Sequence, residues 1–181
     1  MQEHHPNPFG LLSPRICVDL SPRQFERDDL HENVVETLAR QDSNPHLLLL
    51  EVPEDALIND TEAAVVKLRA LKDLGVVITL DSFVGACSVL SRVGSLPADF
   101  LNLDRSLIAR LEAQPEEAVV VSAVAHLAHR LGWQVIASRA EAAEQTARAR
   151  ELGCDAAQGF YFSEPVAGGE LAAKFLTTSA C

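Results

Sequence analysis

The chain has 181 residues, 48% of them hydrophobic and 23% charged, with a formal net charge of −11. That is enough chain for one sizeable core and the composition of an ordinary globular protein. The acidic balance argues against a nucleic-acid partner, because backbone affinity comes mainly from Lys and Arg, but leaves room for a small anion held by metals or backbone N–H groups. No apolar run approaches the ~18 residues that a membrane span needs. The start, Met-Gln-Glu-His-His-Pro, has neither the basic flank nor the apolar region of a signal peptide. The expectation is a cytoplasmic protein without membrane contact. Cys17, Cys87, Cys154 and Cys181 lack CxxC spacing and are expected as free thiols.

Residues 1–14 read as a polar tail and 15–178 as a single domain. Ile16–Leu20 is a short apolar strand. Ser21-Pro22-Arg23-Gln24 has the pattern of a capping box, with Pro at the first helical position. A helix is predicted from there to about Arg40, with Phe25, Leu30, Val34, Val35 and Leu38 as its apolar stripe. Asn44-Pro45 breaks it, and Leu47–Val52 is a second buried strand containing Glu51. Asn59 and Asp60 are candidate caps for a helix carrying Ala63, Val66, Leu68, Leu71 and Leu74, which Gly75 stops. Val76–Leu80 is a short, uniformly apolar strand, predicted to be buried on both faces, with Asp81 at its carboxyl end.

A loop and short helix follow over 85–94, and Asp99–Leu103 is a fourth strand ending Asn-Leu-Asp. Short and long helices are predicted from Arg105 and from Pro115, the second stopped by Gly132. Trp133–Ala137 is a fifth strand and Glu141–Leu152 a helix. Ala156–Phe162 is a sixth strand, and Gly169–Leu176 a closing helix. Strand and helix alternate at about the 30-residue size of a βα unit, which predicts a parallel sheet. A dinucleotide-binding sheet would carry a glycine-rich turn after its first strand, and none is present. A complete (β/α)8 barrel needs about 250 residues. The row of polar residues near successive strand ends, Asp19, Glu51, Asp81, Asp104, Ser138 and Gln158, favours an incomplete TIM-like barrel, which gathers such positions onto one rim.

These segments resemble a known family. Val18-Asp19-Leu20-Ser21-Pro22-Arg23-Gln24 is similar to VNLSxxQ, Leu50-Glu51-Val52-Pro53-Glu54 to LExTE, and Asp81-Ser82-Phe83-Val84-Gly85 to DDFGTG. Leu101-Asn102-Leu103-Asp104-Arg105-Ser106 resembles LKIDRS, and Val135 to Glu141 occupies the place of VVAEGVE. The stretch from Gly153 to Pro165 is similar to GCDxxQGYxFSxP. These are the segments of EAL domains, the bacterial cyclic di-GMP phosphodiesterases, in order and over nearly the whole chain. The resemblance implies a TIM-like barrel, of which the first two strands and the EAL motif would lie upstream of Ile16.

The resemblance also implies a first-metal ligand set at Asp19, Glu51 and Asp81, three oxygen donors suited to Mg²⁺ or Mn²⁺. Asp19 stands where the family has Asn. Three departures concern catalysis: Ser82 replaces the second Asp of DDF, Asn102 the Lys of LKID, and Ser138 the Glu of AEGVE. Glu141 and Gln158 keep their family identities as ligand-binding candidates. Two-metal hydrolysis needs both ions, so the expectation is a non-catalytic EAL-like regulatory module with no required cofactor and, at most, a weak cation. Its expected partner is a second copy or another regulatory protein, contacted through exposed sheet edges or through the loop Ser82–Ser88. Cyclic di-GMP binding without cleavage, or hydrolysis with residual activity or completed by another chain, are the alternatives.

Overall fold

A computed structural model describes residues 15–58, 60–83, 93–111 and 114–171. Strand β1 (Ile16–Asp19) leads into α1 (Pro22–Glu26) and α2 (Leu30–Arg40). β2 (Leu48–Pro53) is followed by α3 (Asp55–Ile58) and α4 (Thr61–Asp73), and β3 is Val77–Phe83. β4 (Phe100–Leu103), α5 (Arg105–Arg110), α6 (Pro115–Arg130) and β5 (Gln134–Ala137) come next. α7 (Ala143–Glu151), β6 (Ala156–Ala157) and α8 (Gly168–Leu171) end the described chain. All six strands are parallel and lie in sequence order, β1 to β6. A doubly wound sheet reverses its order at a switch point. Unbroken sequential order belongs to a barrel, and the six strands form a curled part of one.

The pleat sorts the strand residues onto two faces. Leu50, Val52, Ile78, Leu80, Leu101, Leu103, Val135 and Ala137 join Leu68, Leu71, Val121 and Ala125 of the helices in one large cluster. This is the outer face, covered by helices. The alternate residues Leu49, Val77 and Phe100, with Ile136 against them, form a separate small cluster on the inner face. Arg15 places its guanidinium 5.7 Å from the centre of the Phe100 ring.

Several expectations are corrected. The helix over 22–40 is two helices, because Arg27 and Asp29 pair across the break (2.5 Å) and Arg27 leaves helical geometry. Val35 and Val66 are solvent-exposed, while Phe25, Leu30, Val34, Leu68 and Leu71 are buried as expected. β3 runs two residues beyond Asp81. β6 has only two residues, because Gly159 (φ +154°) turns the chain so tightly that a Cβ there would collide with the Ala140 backbone oxygen. β1 is exposed along its length rather than buried, with Ile16 67% and Val18 40% exposed. The helix expected over 85–94, Asn59 as a cap, the loop from Val84 to Ser88 and most of the closing helix lie outside the described residues. Among the described residues no helix is long and apolar enough to cross a membrane.

Candidate functional site

The carboxyl ends of the strands open on a cavity of about 470 Å³, whose walls include Cys17, Asp19, Glu51, Asp81, Ser138 and Gln158. Local structure fixes each of them. Asp19 and Glu51 are register partners on β1 and β2, and the capping box just beyond Asp19, Ser21 with Gln24, holds the chain as it leaves the sheet. Asp81 follows the inward-facing Val77 and Thr79 on β3. Ser138 comes directly after β5, and Gln158 after β6, where its N–H donates to the Ala137 carbonyl (3.0 Å). All six residues of the row read from the sequence line this one mouth: Asp19, Glu51, Asp81, Asp104, Ser138 and Gln158. Glu141 is elsewhere, exposed at the approach to α7, with its backbone N–H bonded to Gln145 Oε1 (2.9 Å). Ser82 lies within β3, and its side chain is outside the described residues.

Behind the cavity wall lies Asn102, 0% exposed and bonded to two of the lining carboxylates. Its Nδ2 donates to Glu51 Oε1 at 2.8 Å and, more weakly, to Asp81 Oδ1 at 3.5 Å. The amide oxygen has no hydrogen-bond partner among the described residues, and neither do Thr79 Oγ1 and Ser138 Oγ. Such groups are costly, about 1–3 kcal/mol each when buried. Glu51 is 7% exposed, and burial, followed by the neighbouring Asp19 carboxyl, pushes its pKa up to about 7. Desolvation and then the adjoining Glu51 carboxylate push the Cys17 thiol upward as well. The site gathers the acidic side chains Asp19, Glu51 and Asp81 around a neutral amide, and no lysine is among the residues that line it.

Three features escaped sequence reasoning. Cys17 belongs to the cavity wall: its donor atom and those of Asp19 and Glu51 all lie within 4.8 Å of one another. The signal was available, since Cys17 is two residues before Asp19 on a strand and so shares its face. Arg105 and Arg139 also line the cavity. Arg139 adopts φ +57°, a left-handed conformation that non-glycine residues seldom take, at the Gly position of the AEGVE-like segment. Asp104 caps α5, accepting from the Ser106 N–H at 2.8 Å, while also facing the cavity.

With the geometry in hand, comparison places the chain. The EAL domain family matches residues 1–165. The chain belongs to that family. The bifunctional diguanylate cyclase/cyclic di-GMP phosphodiesterase MucR of Pseudomonas aeruginosa is 34% identical over 165 residues, which are 91% of this chain and 24% of MucR. The signaling protein YkoW of Bacillus subtilis is 33% identical over 83% of this chain and 19% of its own length. The solved MucR phosphodiesterase in complex with c-di-GMP superposes with a TM-score of 0.82 at 34% identity, covering 87% of this chain and 64% of that one. The EAL domain of Mycobacterium smegmatis DcpA gives a TM-score of 0.83 at 31% identity, over 90% of this chain and 73% of that one. The EAL chain described here thus spans about a fifth of the length of the first curated relatives, between 19% and 24%. Asp19 and Glu51 each bring an oxygen within 4.8 Å of the other and of the Cys17 sulfur, whereas Asp81, expected as the third oxygen donor, lines the same cavity without belonging to that group; carboxylate oxygens are the donors that suit Mg²⁺ or Mn²⁺.

Proposed function

We propose that this EAL domain is non-catalytic and regulates cyclic di-GMP signalling through contact with another protein, either a second copy of itself or a different regulator. The observation that carries this reading is Asn102, buried between Glu51 and Asp81 with its N–H groups turned to both. An amide adds no net charge, whereas the Lys of LKID would offset the carboxylates and hold a phosphate or water. Ser138 brings a hydroxyl where the family has a carboxylate. Two-metal displacement depends on charge placed on both the attacking and leaving oxygens. Losing one preorganised group of that kind typically costs about 3–4 kcal/mol of transition-state stabilisation. Support for a protein partner comes from apolar side chains at both sheet margins: Ile16 and Val18 on β1, and Phe160 (66% exposed) and Phe162 (44%) after β6.

The test is chromatographic: the chain incubated with cyclic di-GMP and either Mg²⁺ or Mn²⁺ is expected to yield no linear dinucleotide above buffer. Turnover abolished by Asp81→Ala would overturn the reading. Sedimentation equilibrium at micromolar concentration addresses the contact surface, with self-association expected if the partner is a second copy. A second reading, cyclic di-GMP binding without cleavage, is favoured by Arg105 and Arg139 on the same cavity, where guanidinium groups suit phosphate oxygens. Calorimetric titration with cyclic di-GMP separates the two.

A further inference from the structure

Resting on the protein-contact reading, we propose that the partner is a second copy of this chain. The two copies dock two-fold symmetrically through the surface that follows β6, with Arg139 of each paired to Glu164 of the other. That surface holds a hollow of about 510 Å³, distinct from the polar cavity and joined to it through the shared residues Arg139 and Gln158. Phe160, Pro165 and Val166 make its lining mainly apolar. Phe160, Tyr161, Phe162 and Val166 all remain exposed, and a contiguous apolar patch of this kind marks a contact surface.

The backbone holds this surface in one shape. The Ala140 N–H donates to the Gln158 carbonyl at 2.9 Å, the Tyr161 N–H to the Ala140 carbonyl at 3.1 Å, and the Phe162 N–H to the Gly159 carbonyl at 3.1 Å. The turns after β5 and β6 are thereby tied into one unit. On it the Tyr161 and Phe162 rings meet edge to face, with 5.1 Å between centroids. Aromatic groups already fixed in place lose little freedom on docking. Phe162 stands exposed beside the hollow without lining it, so each copy offers one ring and one hollow to receive the other's.

The charges identify the occupant. Arg139 and Glu164 line the same hollow and are both exposed, yet neither forms an ion pair with the other or with any other described residue. In a two-fold contact, if residue i of one copy meets residue j of the other, j also meets i. One Arg–Glu pair therefore implies two, and the patch is its own complement. A partner segment of a single charge sign would meet one of these residues as a like charge, which disfavours it there. Two chains of net charge −11 repel at a distance, and the paired charges supply the local attraction that offsets this. An apolar centre with a polar rim is also the usual anatomy of a specific interface. The surface is not the loop Ser82–Ser88 that the sequence suggested.

Sedimentation equilibrium of the full chain and of charge-reversed variants tests the contact. The wild type is expected to dimerise at micromolar concentration. Arg139→Glu and Glu164→Arg each turn both pairs into like charges, and the dissociation constant of each variant is expected to rise at least about tenfold. An equimolar mixture of the two variants restores opposite charges at both contacts, so dimers of wild-type strength are expected to return. Should Arg139→Glu not fold, Arg139→Gly, which suits the φ of +57° at that position, removes the cation alone and is expected to weaken the dimer. A monomeric wild type, a dimer indifferent to these substitutions, or a mixture of folded variants that stays monomeric would overturn the assignment. The monomeric result leaves a different regulator as the partner. Cyclic di-GMP hydrolysis by a charge-sensitive dimer would instead sink only the non-catalytic reading.

Discussion

The outer and inner faces of the sheet are made by alternate residues of the same strands, yet they are built to opposite ends. The outer face is continuous: Leu50, Val52, Ile78, Leu80, Leu101, Leu103 and Val135 meet the helices in one apolar cluster. The inner face is apolar only at its base, around Leu49, Val77 and Phe100, and above that turns to Glu51, Thr79 and Asn102, all buried. Neighbouring residues on one strand therefore serve stability and chemistry in alternation. The outer face gains by excluding water. The inner face holds groups whose burial is unfavourable without partners, and the chain keeps them at the carboxyl ends of the strands, where the barrel gathers its sites.

The largest expected effect lies on the outer face. Leu68 of α4 is 0% exposed within the main cluster, and Leu68→Ala removes its buried methyl groups and leaves a cavity. A loss of about 2–5 kcal/mol is expected in urea unfolding. A loss below ~1 kcal/mol would mean that the helices do not seal this face as tightly as its burial indicates.

The same contrast explains what the sequence revealed. The outer face was legible because buried strands read as short apolar runs and helices as amphipathic stripes, punctuated by Gly75, Gly132 and Gly153 at positive φ. Ser21 announced its helix as the first residue of a capping box and performs that role. The site was legible wherever a carboxylate broke an apolar strand, as at Glu51 and Asp81. It was obscure where contact depends on curvature. Asn102 reaches Glu51 across an intervening strand, a meeting that only the curl of β2 to β4 creates. Glu141 shows the converse: a motif position read from sequence spacing, carried outside the cavity by the turn before α7. Phe160 and Phe162 read as strand residues by their aromatic and aliphatic neighbours, but the Gly159 turn overrode that propensity.

On the inner face the expected effect is smaller and depends on pH. Glu51 has its pKa raised from an ordinary 4.5 to about 7, through burial and the nearby Asp19 carboxyl. Between these values the folded chain holds a proton that the unfolded chain has lost. Stability from this group is therefore full below about 4.5 and is lost as pH rises through about 7. In chelating buffer the melting temperature is expected to fall across that window, by the equivalent of on the order of 2 kcal/mol. Glu51→Gln keeps the shape without the charge and is expected to flatten the profile. A wild-type melting temperature that rises over the window would place the charged form, not the neutral one, as the favoured state of Glu51.

The smallest effect is the most specific, because it has the opposite sign to the outer-face substitution at equal burial. Thr79 is 0% exposed on β3, and its Oγ1 has no hydrogen-bond partner among the described residues. Its neighbours along the strand, Ile78 and Leu80, face the apolar cluster, while Thr79 shares the inner face with Glu51, its register partner on β2. Thr79→Val exchanges the hydroxyl for a methyl of similar size and retains the β-branched shape that suits a strand. Relief of the unpaired hydroxyl outweighs any loss of polarity near Glu51, and a gain of about 1 kcal/mol is expected in urea unfolding at pH 6. Thr79→Val that destabilises, while Leu68→Ala behaves as expected, would reveal that the hydroxyl has a partner in solution and that the inner face is better satisfied than its geometry indicates.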